Sequence, residues 1–148
     1  MSQSKQEPVH VKHVDNYEVV QFSDFRCIEA CIDKKVGLEE KHTDVWSGYY
    51  SGAYCSGDEH KAYPRTYQVP SGFETYLMYD VKTEDTEGHS WVSRIAPDLR
   101  SVEIITSCQS GLIDSQTNKY RIHFYLYIPV PDKRRREITE DCRRECGL

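Results

Sequence analysis

Six cysteines pose the first chemical question: Cys27, Cys31, Cys55, Cys108, Cys142 and Cys146. Two pairs share one spacing, Cys27-x-x-x-Cys31 and Cys142-x-x-x-Cys146. Residues four apart lie on one face of a helix. Two such helices packed antiparallel would gather four sulfurs, as two disulfides or as a zinc site of four thiolates. The reduced state competes with both, because a free cysteine behaves as a small apolar residue and is often buried. C-x-x-x-C also points to zinc far less than a paired C-x-x-C does. The first eight residues, Met-Ser-Gln-Ser-Lys-Gln-Glu-Pro, lack the apolar run of a secretory signal. Reduced structural thiols in a cytoplasmic protein are therefore the first expectation, with no metal and no cofactor.

Histidine is the next chemistry-bearing type. His60 stands beside Asp58, Glu59 and Cys55, a set that could ligate a metal or pair a thiol nucleophile with a base. Neighbours on one loop seldom converge, so this group is weak evidence. His10 and His13 are three apart, which places them on opposite faces of a strand. His123 differs. It lies within an alternating segment whose one face reads Arg121, His123, Tyr125 and Tyr127. A cation, a titratable ring and two phenols on one sheet face could bind a small ligand or a protein. Trp46, Tyr50 and Tyr54, interleaved with Gly48 and Gly52, form a second aromatic set that would share one face of a strand.

No H-E-x-x-H, Walker loop, G-x-G-x-x-G or G-x-S-x-G occurs. The acidic pairs Glu39-Glu40, Asp58-Glu59 and Glu84-Asp85 are adjacent, and adjacent carboxylates point apart. Three readings follow. The first is a non-enzymatic binding module that uses the tyrosine-rich surfaces, since the chain holds 11 tyrosines among 148 residues. The second is a small hydrolase or isomerase with Arg121 holding an acidic substrate while His123 moves a proton. The third is an assembly subunit that buries its charged C-terminal helix and aromatic faces against other chains.

Composition narrows the partners. The formal net charge is −5, which argues against a nucleic-acid partner. The only basic cluster, Lys133-Arg134-Arg135-Arg136 with Arg143 and Arg144, sits among five acidic residues and reads as a solvated helix face. No apolar run is long enough to cross a membrane as a helix. Oligomeric state is open.

The elements that would position these residues follow from periodicity. Residues 1–8 read as a flexible tail, and 9–148 as one α+β domain. One or two strands are expected between 9 and 22. A helix is expected over 23–36, with Phe25, Ile28, Ile32 and Val36 on one stripe and Gly37 as its stop. Cys27 and Cys31 fall off that stripe. Residues 61–70 read as an extended edge or loop. Alternation then gives two hairpins, 73–81 with 89–96 and 101–108 with 120–128, the first joined by a carboxylate-rich turn over 82–88. Asp132 would cap a last helix over 133–146, whose apolar line is Ile138, Cys142 and Cys146. The expected architecture is a curved antiparallel sheet of about six or seven strands packed by the two helices. The alternative is an all-β sandwich or barrel.

Overall fold

The structure, a computed structural model, describes residues 22–148. Residues 1–21, which carry the expected tail, His10, His13 and nearly all of the expected first strands, lie outside the described residues. The elements run α1 (Phe22–Glu39), β1 (Lys41–Trp46), β2 (Tyr50–Ser56), β3 (His60–Gln68), β4 (Leu77–Glu87), β5 (His89–Ile95), β6 (Ser101–Gln109), β7 (Ser115–Ile128) and α2 (Asp132–Glu145). The α+β class and the antiparallel pairing are as expected. The chain forms two compact units: a helical unit joining the segment that ends at Glu40 to Val130–Leu148, and a β unit, Lys41–Pro129.

In the β unit the seven strands divide between two sheets that do not close into a barrel. The first is centred on β7. Strand β4 pairs along one side of it, from Leu77 opposite Tyr127 to Glu87 opposite Lys119. Strands β1 and β2 lie end to end along the other side, from Lys41 opposite Ile128 to Ser56 opposite Ser115. The second sheet has the order β3-β6-β5. Strict alternation explains β7. Its even positions Tyr120, Ile122, Phe124 and Leu126 are buried, and its odd positions from Arg121 to Tyr127 are half-buried on the opposite face. Val102 and Ile104 of β6 and Met78 and Val81 of β4 complete the same core. Each such side chain contributes about 1.5–3 kcal/mol on full burial.

Neither expected hairpin forms, because β4 pairs with β7 and β5 pairs with β6. Strand β4 starts late: Phe73 N donates to Pro70 O at 3.0 Å and Tyr76 N to Phe73 O at 2.9 Å, making turns of the preceding residues. It then runs through the acidic segment expected to turn. There Asp85 accepts from Ser90 N at 3.1 Å and Glu87 accepts from Thr117 N at 2.7 Å, so the carboxylates serve the strands around them. The reversal is confined to Gly88, at φ +73°, where a Cβ would stand 2.8 Å from Asn118 Cα. Only glycine meets both demands.

A polar cluster sits inside the β unit. Thr106 Oγ1 donates to Asn118 Oδ1 at 2.5 Å and accepts from Ala53 N at 2.8 Å. Asn118 Nδ2 donates to Glu87 O at 2.9 Å and to Asp85 Oδ1 at 3.3 Å. Ser90 Oγ closes the group on Asp85 Oδ1 at 2.5 Å. Buried polar groups are tolerable when satisfied in this way. Beside them the disulfide Cys55–Cys108 joins β2 of one sheet to β6 of the other.

The helical unit has its own core of Ile28, Val36, Val130, Ile138 and Cys142. Phe25, expected on the buried stripe, is exposed. Helix α1 continues through Gly37, where Glu40 N donates to Val36 O at 3.1 Å. Asp132 is the first residue of α2 and does not cap it; Pro131 holds the cap position without a side-chain bond. The two equally spaced cysteine pairs meet as Cys27–Cys146 and Cys31–Cys142. The reduced thiols expected from the sequence are thus replaced, among the described residues, by three disulfides and no free cysteine. The spacing brought the four sulfurs together as anticipated, and the chemistry is oxidative. Cys55, the thiol considered as a nucleophile near His60, is buried and bridged.

Candidate functional site

The outward face of the β7 sheet carries a continuous run of rings and cations. Registry builds it: Trp46 stands opposite His123 and His42 opposite Tyr127 on β1, while Lys82 stands opposite His123 on β4. The Trp46 and His123 rings stack at 4.3 Å between centroids, 13° from parallel. His123 also meets Tyr125 at 4.1 Å. Tyr79 lies 5.9 Å from Tyr125 and 6.1 Å from Tyr127, and His42 lies 5.3 Å from Tyr79. Cations sit over the rings. The Arg121 guanidinium is 4.7 Å from the Trp46 ring and 5.4 Å from Tyr49, and Lys82 Nζ is 5.2 Å from Tyr125. Exposed cation–ring contacts of this kind each contribute about 0.5–1 kcal/mol.

Local structure explains the placement. Beyond β1 the chain stays tied to β7: Ser47 N donates to Ile122 O, and Ile122 N to Ser47 Oγ, both at 2.8 Å. That clasp holds Tyr49 above Arg121. On β4 a bulge between Met78 and Asp80 turns Met78 inward and leaves Tyr79 outward. The face carries both signs of charge, since Asp80 and Glu84 stand opposite Tyr125 and Arg121, and Asp44 stands opposite Tyr125 from β1.

Of the residues singled out by sequence, Arg121, His123, Tyr125, Tyr127 and Trp46 converge here. Tyr50 and Tyr54 do not join them. The segment Trp46–Tyr54 is not one strand: β1 ends at Trp46, and β2 is bulged between Ser51 and Tyr54. Tyr50 turns inward onto Tyr67 and Tyr120, at 4.7 Å and 5.8 Å. The Tyr67 and Tyr120 hydroxyls are hydrogen-bonded to each other. Burial, with that bond second, raises the Tyr120 phenol above its ordinary range. Tyr54 is exposed opposite Thr117, outside the band. Sequence reasoning missed His42, Tyr49, Tyr79 and Lys82. His42 and Trp46 share a parity that was readable. Tyr79 was not, because alternation put it with Leu77 and Val81 and only the bulge reverses it.

Cys27, Cys31, Cys142 and Cys146, weighed as metal ligands, are spent on disulfides. Among the described residues no cluster of three or more histidine, cysteine or acidic side chains could hold a metal ion. No helix among them is long and apolar enough to cross a membrane. No protein-family model, no curated protein and no solved structure matches this chain.

Proposed function

We propose that the protein is a non-enzymatic binding module that engages a protein partner through the outward face of the β7 sheet, in an oxidising compartment. The observation that carries the reading is the Trp46–His123–Tyr125 stack flanked by Arg121 and Lys82. Tryptophan, tyrosine and arginine dominate the energetic centres of protein interfaces. Along β7 the band from Arg121 to Tyr127 extends roughly 20 Å, and with one strand on each side it is roughly 10 Å wide. That is the size of an interface centre within a footprint of about 800 Å² per partner. Trp46 at 43% and Tyr79 at 49% exposure present ring surface outward. Pre-stacked rings lose little side-chain entropy on contact.

The hydrolase or isomerase reading fares less well. Arg121 and His123 are engaged by rings on an open face, and proton transfer gains from a site that sheds water. Three disulfides support the oxidising compartment over the cytoplasmic expectation, because such bridges persist where the thiol pool is oxidising.

A photo-crosslinking phenylalanine analogue at Tyr79 tests the reading, with the same analogue at exposed Thr66 on the other sheet as control. Cross-linking to one discrete protein from Tyr79 alone is expected. Tyr79→Ala and Arg121→Ala should each weaken that complex about tenfold or more. Equal labelling from both positions sinks the proposal. Cross-linking only to a second copy of the chain makes it an assembly subunit instead.

A further inference from the structure

A cleft of about 480 Å³ opens on the β3-β6-β5 sheet, apart from the aromatic band. Its lining comes from three strands and the start of a fourth. His60 of β3 and His89 and Trp91 of β5 flank it, with β6 between, so the two sides stand about 10 Å apart in backbone. The floor between them is low, because Ala62 and His89 stand on either side of Ser107. Gln109 and Gln116 close one end, above the Cys55–Cys108 bridge.

The polar groups are organised. Gln109 N donates to Gln116 Oε1 at 2.9 Å, which commits that oxygen and leaves the Gln116 amide nitrogen as a donor. Ser107 Oγ is committed to His89 O at 2.7 Å. His89 Nδ1 faces Asp85 Oδ2 at 3.5 Å, which orients the ring with its Nε2 edge free for a ligand. Trp91, with its ring 5.2 Å from His89, stands as an aromatic wall. The lining holds no carboxylate, ammonium or guanidinium. With no ammonium or guanidinium in the lining the cleft offers an anion no fixed positive charge, and among the described residues no three histidine, cysteine or acidic side chains cluster to hold a metal ion. It fits a neutral ligand that needs donors, acceptors and an apolar ring face together.

We infer that this cleft binds a pyranose sugar, with Trp91 against the C–H face of the ring. Gln116, His89 and His60 take its hydroxyls. An open site of this size holds one or two sugar rings and gives a Kd of about 1 mM.

The test is a nitrogen-15 spectrum of the intact, disulfide-bonded protein, titrated separately with the methyl pyranosides of glucose, galactose, mannose and N-acetylglucosamine. Adenosine is titrated as an aromatic competitor class. At least one pyranoside is expected to shift the Trp91 indole and the Gln109 and Gln116 side-chain amides in a saturable way. The Trp46 indole, which reports on the β7 face, should stay still. Gln116→Ala and the exposed His60→Ala should each weaken binding about fivefold while keeping a dispersed, folded spectrum. The inference is overturned if no pyranoside moves Trp91, if only adenosine does, if Trp46 responds in place of Trp91, or if both variants bind as wild type. None of these outcomes decides the protein-binding reading, which rests on cross-linking at Tyr79.

Discussion

Gly52 has no room for a side chain: a Cβ there would stand 1.8 Å from Thr106 Oγ1. The close approach lets Thr106 accept from Ala53 N and donate to Asn118. Gly52→Ala must push the β2 backbone off that hydroxyl and break the relay, a cost of about 2–4 kcal/mol. Thermal melting should show it as a fall of about 5–15 °C. A variant that melts with wild type would mean that β2 shifts freely, contrary to a satisfied buried cluster. The face parity of β7 was legible residue by residue, because its period of two runs unbroken from Tyr120 to Ile128. Tyr50, Tyr54 and Tyr79 were not legible, since each lies at or beside a bulge or strand end that period-two reasoning steps across.

Among the elements, α1 and α2 join through a thin apolar line reinforced at the surface. Arg134 donates to both Glu39 oxygens, at 2.9–3.0 Å from Nε and 2.5 Å from Nη2. That hydrogen bonding, more than the charge itself, holds the Glu39 carboxyl below its ordinary range. Glu39 therefore gives up its proton more readily folded than unfolded. Its contribution is present above the ordinary carboxylate range and fades as pH falls through the lowered folded value. Melting of wild type and Glu39→Gln at pH 7 and pH 3 checks this. Wild type should hold an advantage at pH 7 that shrinks at pH 3, and an unchanged gap would exclude the linkage. Both helices were legible from period and charge, to within three residues at either end. Gly37 misled because a glycine stop matters only where the chain must turn; here the last turn continues to Glu39, and Arg134 anchors it.

On the scale of the whole molecule, the disulfides decide how the chain is closed. Cys27–Cys146 and Cys31–Cys142 span 119 and 111 residues, so the β unit lies within a covalent loop closed by the helical unit. Once one bridge closes that long loop, the other closes only a short ring of about 10 residues. Replacing one pair by serine should therefore cost about 3 kcal/mol, and replacing both about 7 kcal/mol, more than twice as much. Denaturant unfolding without reductant measures it; a single loss as large as the double one would contradict the loop-closure account. The sequence by itself determined the periodic facts: the α+β class, the two faces of β7, the two helices, and cysteine spacings able to gather four sulfurs. Those follow from local geometry, in which side chains repeat every 2 or 3.6 residues. Only the tertiary structure decided which strands pair, which tyrosines face outward, and that the sulfurs oxidise to bridges. Strand partnership depends on contacts far apart in the chain, bulges shift parity without altering composition, and a thiol's fate depends on which sulfur meets it. The same is true of the cleft, because His60 and Gln116 are brought to one surface only by β6 and the Cys55–Cys108 bridge.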